Sequence, residues 1–203
     1  RPDRALITYV SKIRQAYKGV AVIVGGIEAS LRRFSHYDYW SNKVRKSILL
    51  DCKADLLLYG MGEYSILEVA DLLAKGVPVR EIRNVRGSCW YTSKESEIPL
   101  KDENDNSPIF LPSFEDISAQ TDESKTKFAK SFVIQEQNTD AINACILVEK
   151  SDSRFVVQNK PALPLSSDEF DKVMELPYTR RWHPMYDKPA SNGKTGVPAL
   201  AEV

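Results

Sequence analysis

Two short apolar runs in this chain of 203 residues end in glycines, and those ends are where residue types and spacing best suit chemistry. Val20-Ala21-Val22-Ile23-Val24 stops at Gly25-Gly26, and Asp55-Leu56-Leu57-Leu58-Tyr59 stops at Gly60-Met61-Gly62-Glu63. In an open α/β sheet, ligands sit beyond the carboxyl ends of strands, where glycine lets backbone amides approach closely and helix starts favour anions. Gly25, Gly26, Gly60 and Gly62 therefore make one candidate rim. Glu28, Arg32 and Arg33 follow the first pair. Two arginines can grip a phosphate or carboxylate, and Glu63 can accept from a ribose hydroxyl or an amide. The plainer roles are a tight Gly-Gly turn and a Glu63 that serves the helix dipole. The spacing is neither GxGxxG nor a P-loop, so no dinucleotide or nucleoside triphosphate assignment follows.

Other residues carry weaker signals. His36 stands among aromatics in Phe34-Ser35-His36-Tyr37-Asp38-Tyr39-Trp40, as a metal or corrinoid ligand or as a packed histidine. It has no paired Cys, His or acid at ligand spacing. Arg180 and Arg181, in Tyr178-Thr179-Arg180-Arg181-Trp182-His183-Pro184, can contact phosphate beside a stacked base, or can dock the segment on a neighbouring domain. Cys52, Cys89 and Cys145 lie 37 and 56 residues apart, without the close pairs of a zinc site or the clustered thiols of an iron–sulfur site. They read as buried small hydrophobes of a reducing cytoplasm. With two histidines in all, no serine or cysteine has an evident catalytic base.

The elements that must hold these residues alternate. A helix is expected over 4–18, the first strand at 20–24, a helix over 40–52 with Trp40 and Val44 inward, the second strand at 55–59 and a helix over 63–75. That order predicts a parallel α/β sheet. Short strands are expected over 77–92, a helix over 123–137, a hairpin from 144–148 and 154–158, and a helix over 167–175 capped by Ser166 or Ser167. The charge balance of 28 Lys+Arg against 28 Asp+Glu argues against a generic nucleic-acid binder. It conceals a contrast, because residues 1–53 carry eleven bases and four acids while residues 94–123 carry two bases and nine acids. The acidic stretch reads as a solvated, partly mobile loop. No apolar run nears the roughly 18–20 residues a membrane span needs. The chain opens on Arg1 without a signal peptide, and an excised piece of a cytoplasmic protein is expected.

Long strings here resemble the YgiQ-type family of radical SAM proteins. They are Val24-Gly25-Gly26-Ile27-Glu28-Ala29-Ser30-Leu31-Arg32-Arg33-Phe34, His36-Tyr37-Asp38-Tyr39-Trp40 and Ala54-Asp55-Leu56-Leu57-Leu58-Tyr59-Gly60-Met61-Gly62-Glu63. Val156-Val157-Gln158-Asn159, Pro161-Ala162-Leu163-Pro164-Leu165 and Glu175-Leu176-Pro177-Tyr178-Thr179-Arg180-Arg181 are similar too. The resemblance implies the region before a radical SAM barrel, in a Rossmann-like fold of the cobalamin-binding type. It implies first strands upstream of Arg1 and a CxxxCxxC motif after Val203 that would hold a 4Fe-4S cluster for S-adenosylmethionine. No cysteine of this chain matches a cluster position, so no metal ligand is carried over. A DxHxxG corrinoid motif would also fall upstream; Phe34, two before His36, is not an aspartate, and no tightly bound cobalamin is expected.

The expected fold is thus α/β, a partial Rossmann-like parallel sheet with flanking helices plus a small α+β extension with a hairpin. Its parts are the accessory domain at 1–92, the acidic loop at 93–122, the extension at 123–185 and a linker at 186–203 towards the barrel. The chain itself is expected to be non-catalytic, with its own barrel and an unknown substrate as partners. The rivals are a nucleotide- or RNA-binding module without catalysis, and a small complete α/β enzyme, which would need an acid–base pair beyond Glu28 and Glu63.

Overall fold

The structure, a computed structural model, describes residues 4–181, so the expected linker and His183 lie outside the described residues. The described residues fall into two compact units, divided between Pro164 and Leu165. In the first, α1 (Ala5–Ala16) leads to β1 (Ile23–Val24), α2 (Gly26–Leu31), the strands β2 (His36–Asp38) and β3 (Lys43–Arg45), α3 (Ile48–Asp51), β4 (Leu56–Leu58) and α4 (Glu63–Ala74). Then come β5 (Ser88–Thr92), β6 (Ile109–Phe110), α5 (Phe114–Ser118), α6 (Asp122–Gln137), β7 (Leu147–Ser151) and β8 (Arg154–Gln158). The described part of the second unit holds α7 (Ser167–Met174), whose Ser166 side chain and Glu169 form a capping box.

Six strands form one sheet in the order β1-β4-β5-β8-β7-β6, and β2 pairs with β3 in a separate hairpin. The α/β class, the flanking helices and the β7–β8 hairpin are as the sequence implies. Parallel pairing is confined to β1 with β4 and β6 with β7, while β5 and β8 pair antiparallel with their neighbours. Alternation along the strands divides the core. Leu57 and Cys89 pack with Val10, Ala29 and Leu49 under α1, α2 and α3. Leu56, Leu58, Trp90, Val148 and Val157 face the other way, against Val69 of α4 and Ile82, Val85 and Ile98. Leu147 and Val156 meet Phe34 and Leu111, with Ile134 of α6 against them.

Three expectations need correction. The helix over 40–52 is instead the β2–β3 hairpin followed by the four-residue α3. Asn42 takes φ 51° in the turn, Asp38 is claimed by Arg4 and Ser41, and the Ser47 hydroxyl starts α3 by accepting from Leu49 N. Trp40, expected inward, stacks on Tyr39 in solvent. The first strand keeps only two of its five residues, because Arg14 donates to Val20 O and the Asp55 carboxylate takes the Val22 N–H. The acidic stretch is built, not loose. It contributes β6 and α5, with cations from elsewhere holding its acids: Arg83 on Glu97 at 3.1 Å, Arg86 on Glu103, Lys127 on Asp116 at 2.9 Å.

Candidate functional site

Strands β1 and β4 lie side by side and parallel, Ile23 opposite Leu56 and Val24 opposite Leu57, so both glycine pairs emerge at one end of the sheet. Gly25 caps α2 and Gly62 caps α4, and neither helix start receives a side-chain cap. A glycine at the N-cap has no side chain with which to cap these first turns. Gly26 and Gly60 sit at φ 78° and 70°, where a side chain strains the backbone. Gly60 N–H donates to the Ser30 hydroxyl at 3.1 Å, tying the second glycine loop to α2. Around this rim Ile27 and Leu31 are 80% and 73% exposed, and Met61 and Leu67 are exposed as well. Glu63 stands at the first turn of α4, and its Oε2 is buried without a hydrogen-bond partner among the described residues.

The charged residues after the first glycine pair do not act as a pair. Arg32 Nη1 bonds Glu28 Oε1 at 3.0 Å one helical turn away, while Glu28 Oε2 accepts from Leu6 N at 3.4 Å and so caps α1. Arg33 turns inward. Its Nε donates to Gln158 Oε1 at 2.6 Å, its Nη1 to Ser30 O at 2.7 Å, and its guanidinium lies 5.2 Å from the Tyr59 ring centre. Within the second unit, Arg180 takes φ 51° and donates to Met174 O at 3.2 Å, and Arg181 is exposed.

Sequence reasoning missed Ser30, Gln158 and Glu149, polar residues inside otherwise apolar or small-residue strings. Glu149 is fully buried in β7 and accepts from Ser35 N at 3.0 Å and Ser35 Oγ at 2.7 Å, and burial pushes its carboxyl up to about 7. His36 places Nδ1 3.2 Å from Phe34 O, so a proton on Nδ1 leaves Nε2 as an acceptor, and burial lowers its pKa. The thiols are passive. Cys89 is buried and pushed up to about 12, Cys52 is buried and raised by the same cause, and Cys145 is half-buried. Among the described residues no group of three His, Cys, Asp or Glu could hold a metal ion, and no helix is long and apolar enough to cross a membrane.

Fold and rim together define an α/β domain with a glycine-lined, apolar-edged sheet end. The chain belongs to the radical SAM N-terminal family, whose model matches residues 1–203. It is 48% identical to a UPF0313 protein of Clostridium botulinum over 203 residues, all of this chain and 29% of that relative. A UPF0313 protein of Clostridium perfringens is likewise 48% identical, with 28% of its length covered. The chain therefore spans less than a third of the curated relatives it matches. No solved structure matches it.

Proposed function

We propose that this chain is the N-terminal accessory region of a radical SAM iron–sulfur enzyme that reductively cleaves S-adenosylmethionine, and that it carries no catalytic centre itself. The observation behind this reading is the family match across residues 1–203, in a chain covering 29% of a relative's length. In such enzymes a 4Fe-4S cluster supplies one electron, and the sulfonium splits into methionine and a carbon radical that takes hydrogen from the substrate. This chain's thiols do not fit that group. Two are buried, their pKa values are raised away from thiolate, and no metal-binding group forms around them among the described residues. The ligating cysteines belong on the remainder of the protein.

What this chain contributes is a surface. The rim offers the glycine-capped starts of α2 and α4, the exposed Ile27, Leu31 and Met61, and the Glu63 carboxylate oxygen that is buried without a hydrogen-bond partner among the described residues. These features suit docking against the protein's own barrel or closing over its substrate. The nucleotide- or RNA-binding alternative is disfavoured at the rim, because Arg32 and Arg33 are committed to Glu28 and Gln158. Reconstituting the full-length protein with iron and sulfide tests the proposal. Visible cluster absorbance and reductant-dependent S-adenosylmethionine cleavage are expected, and the absence of both would sink it.

A further inference from the structure

A pocket lies at the end of the sheet opposite the glycine rim, where β4 begins and the β7–β8 hairpin turns. It has a volume of about 360 Å³ and is lined by Lys46, Leu50, Asp51, Lys53 and residues 151–154. That is within the range of roughly 300–1,000 Å³ typical of small-molecule sites. Three cations face it. Lys46 pairs with Asp152. Lys53 and Arg154 are exposed, and neither forms an ion pair among the described residues; Arg154 lies over the Tyr91 ring at 5.5 Å and reaches Asp152 only through its longer-range field. Two of the acids nearby are held in ion pairs, and Glu115 is in none among the described residues. Asp51 receives Arg45 through Nε at 3.0 Å and Nη2 at 2.8 Å, and Asp152 receives Lys46. Glu115 accepts the Asp152 N–H at 2.8 Å.

The pocket is also framed by fixed backbone. Lys53 O accepts from Arg14 Nη2 at 3.2 Å, and Ser151 pairs directly with Arg154 across the hairpin, putting both on one sheet face. At its base Ser151 is 1% exposed, and its hydroxyl is buried without a hydrogen-bond partner among the described residues. A buried hydroxyl with no partner is costly in a folded protein. Here it stands beside two cations outside any ion pair, in a cavity whose remaining lining is polar apart from Leu50.

We propose that this pocket binds the phosphoryl group of a phosphorylated small molecule, with Lys53 and Arg154 as its charge partners and the Ser151 hydroxyl as a donor. Arginine and lysine bound to phosphate form charge-assisted hydrogen bonds, and the dianion neutralises the two cations. The inference is independent of the rim and of the radical SAM reading, because it uses residues at the opposite sheet end.

The test is the phosphorus NMR linewidth of inorganic phosphate added to the full-length protein at fixed ionic strength. Saturable broadening is expected, and glycerol phosphate should relieve it by competition. The exposed positions make Lys53→Gln with Arg154→Gln a folded variant, expected to weaken binding by about tenfold or more. Ser151→Ala is expected to weaken it by about fivefold while leaving the unliganded stability unchanged or raised. Broadening no greater than in a control protein, or equal in the double variant, would overturn the proposal. So would displacement by single-stranded RNA lacking terminal phosphates as readily as by glycerol phosphate, which would assign the pocket to a nucleic-acid backbone.

Discussion

Arg33 Nε donates to Gln158 Oε1 at 2.6 Å, binding the segment after the first glycine pair to a strand 125 residues further on. An arginine that looks, by position, like a phosphate grip is therefore a beam between α2 and β8. Gln158 is fully buried, so removing Arg33 leaves its Oε1 without the donor that now satisfies it. Arg33→Ala is expected to lower stability by about 2–3 kcal/mol in urea unfolding. Arg33→Lys should recover little, since an ammonium cannot reproduce the fork that reaches Gln158 and Ser30 O together. Stability unchanged in the alanine variant would contradict this role.

The glycines should separate by conformation. Gly26→Ala and Gly60→Ala force a side chain to φ 78° and 70°, at a cost of about 1–2 kcal/mol each. Gly87→Ala should cost more, because its φ is 71° and a Cβ would stand 2.9 Å from Ser65 Oγ and 3.3 Å from Ala162 Cβ. Gly62 lies at φ −99° with nothing within 4 Å of where a methyl group would stand, so Gly62→Ala should be nearly neutral. Thermal unfolding of the four variants checks the order.

Glu149 sets a pH dependence. Burial raises its carboxyl from 4.5 to about 7, so between those values the folded state holds more protons than the unfolded chain. Stability should therefore fall as pH rises from about 4.5 through about 7, by on the order of 3 kcal/mol, and level off above. Glu149→Gln keeps an acceptor for Ser35 and removes the titration. Denaturant unfolding from about pH 5 to 8 should show a flatter profile in the variant, and parallel profiles would contradict the assignment.

Asp38 works in the opposite sense. The Arg4 guanidinium at 2.7 Å, with the Ser41 hydroxyl, holds its carboxyl at about 2, below the ordinary 3.8. Its stabilisation is present above about 3.8 and is lost as pH falls through about 2. Acid unfolding of Asp38→Asn should lose stability at neutral pH and respond less to pH in that window.

The elements that could be read from the sequence were those with uninterrupted local signals. Leu56, Leu57 and Leu58 form a strand buried on both faces, and Ser166 with Glu169 makes the cap that starts α7. The β2–β3 hairpin was hidden because Val44, Ile48 and Leu49 mimic helical spacing, whereas Asn42 in the left-handed region and the Asp38–Arg4 pair are decided by tertiary contacts. At the rim the glycines were legible, as positions a side chain would strain. The fates of Arg32, Arg33 and Glu28 were not, since their partners are set by which side chain folds back within reach. Ser151 read only as part of the hairpin turn, whereas it ends β7 and is buried by the folded hairpin.

In the proposed assignment this chain is the accessory region of a radical SAM enzyme whose cluster lies on the rest of the protein. Anaerobic reconstitution of the full-length protein and of residues 1–203 with iron and sulfide, followed by reduction with S-adenosylmethionine present, tests it most directly. Cluster absorbance and release of deoxyadenosine by the full-length protein, with neither from residues 1–203 alone, is the predicted result. A full-length protein that takes up no cluster and leaves S-adenosylmethionine intact, or a cluster bound by residues 1–203, would contradict it.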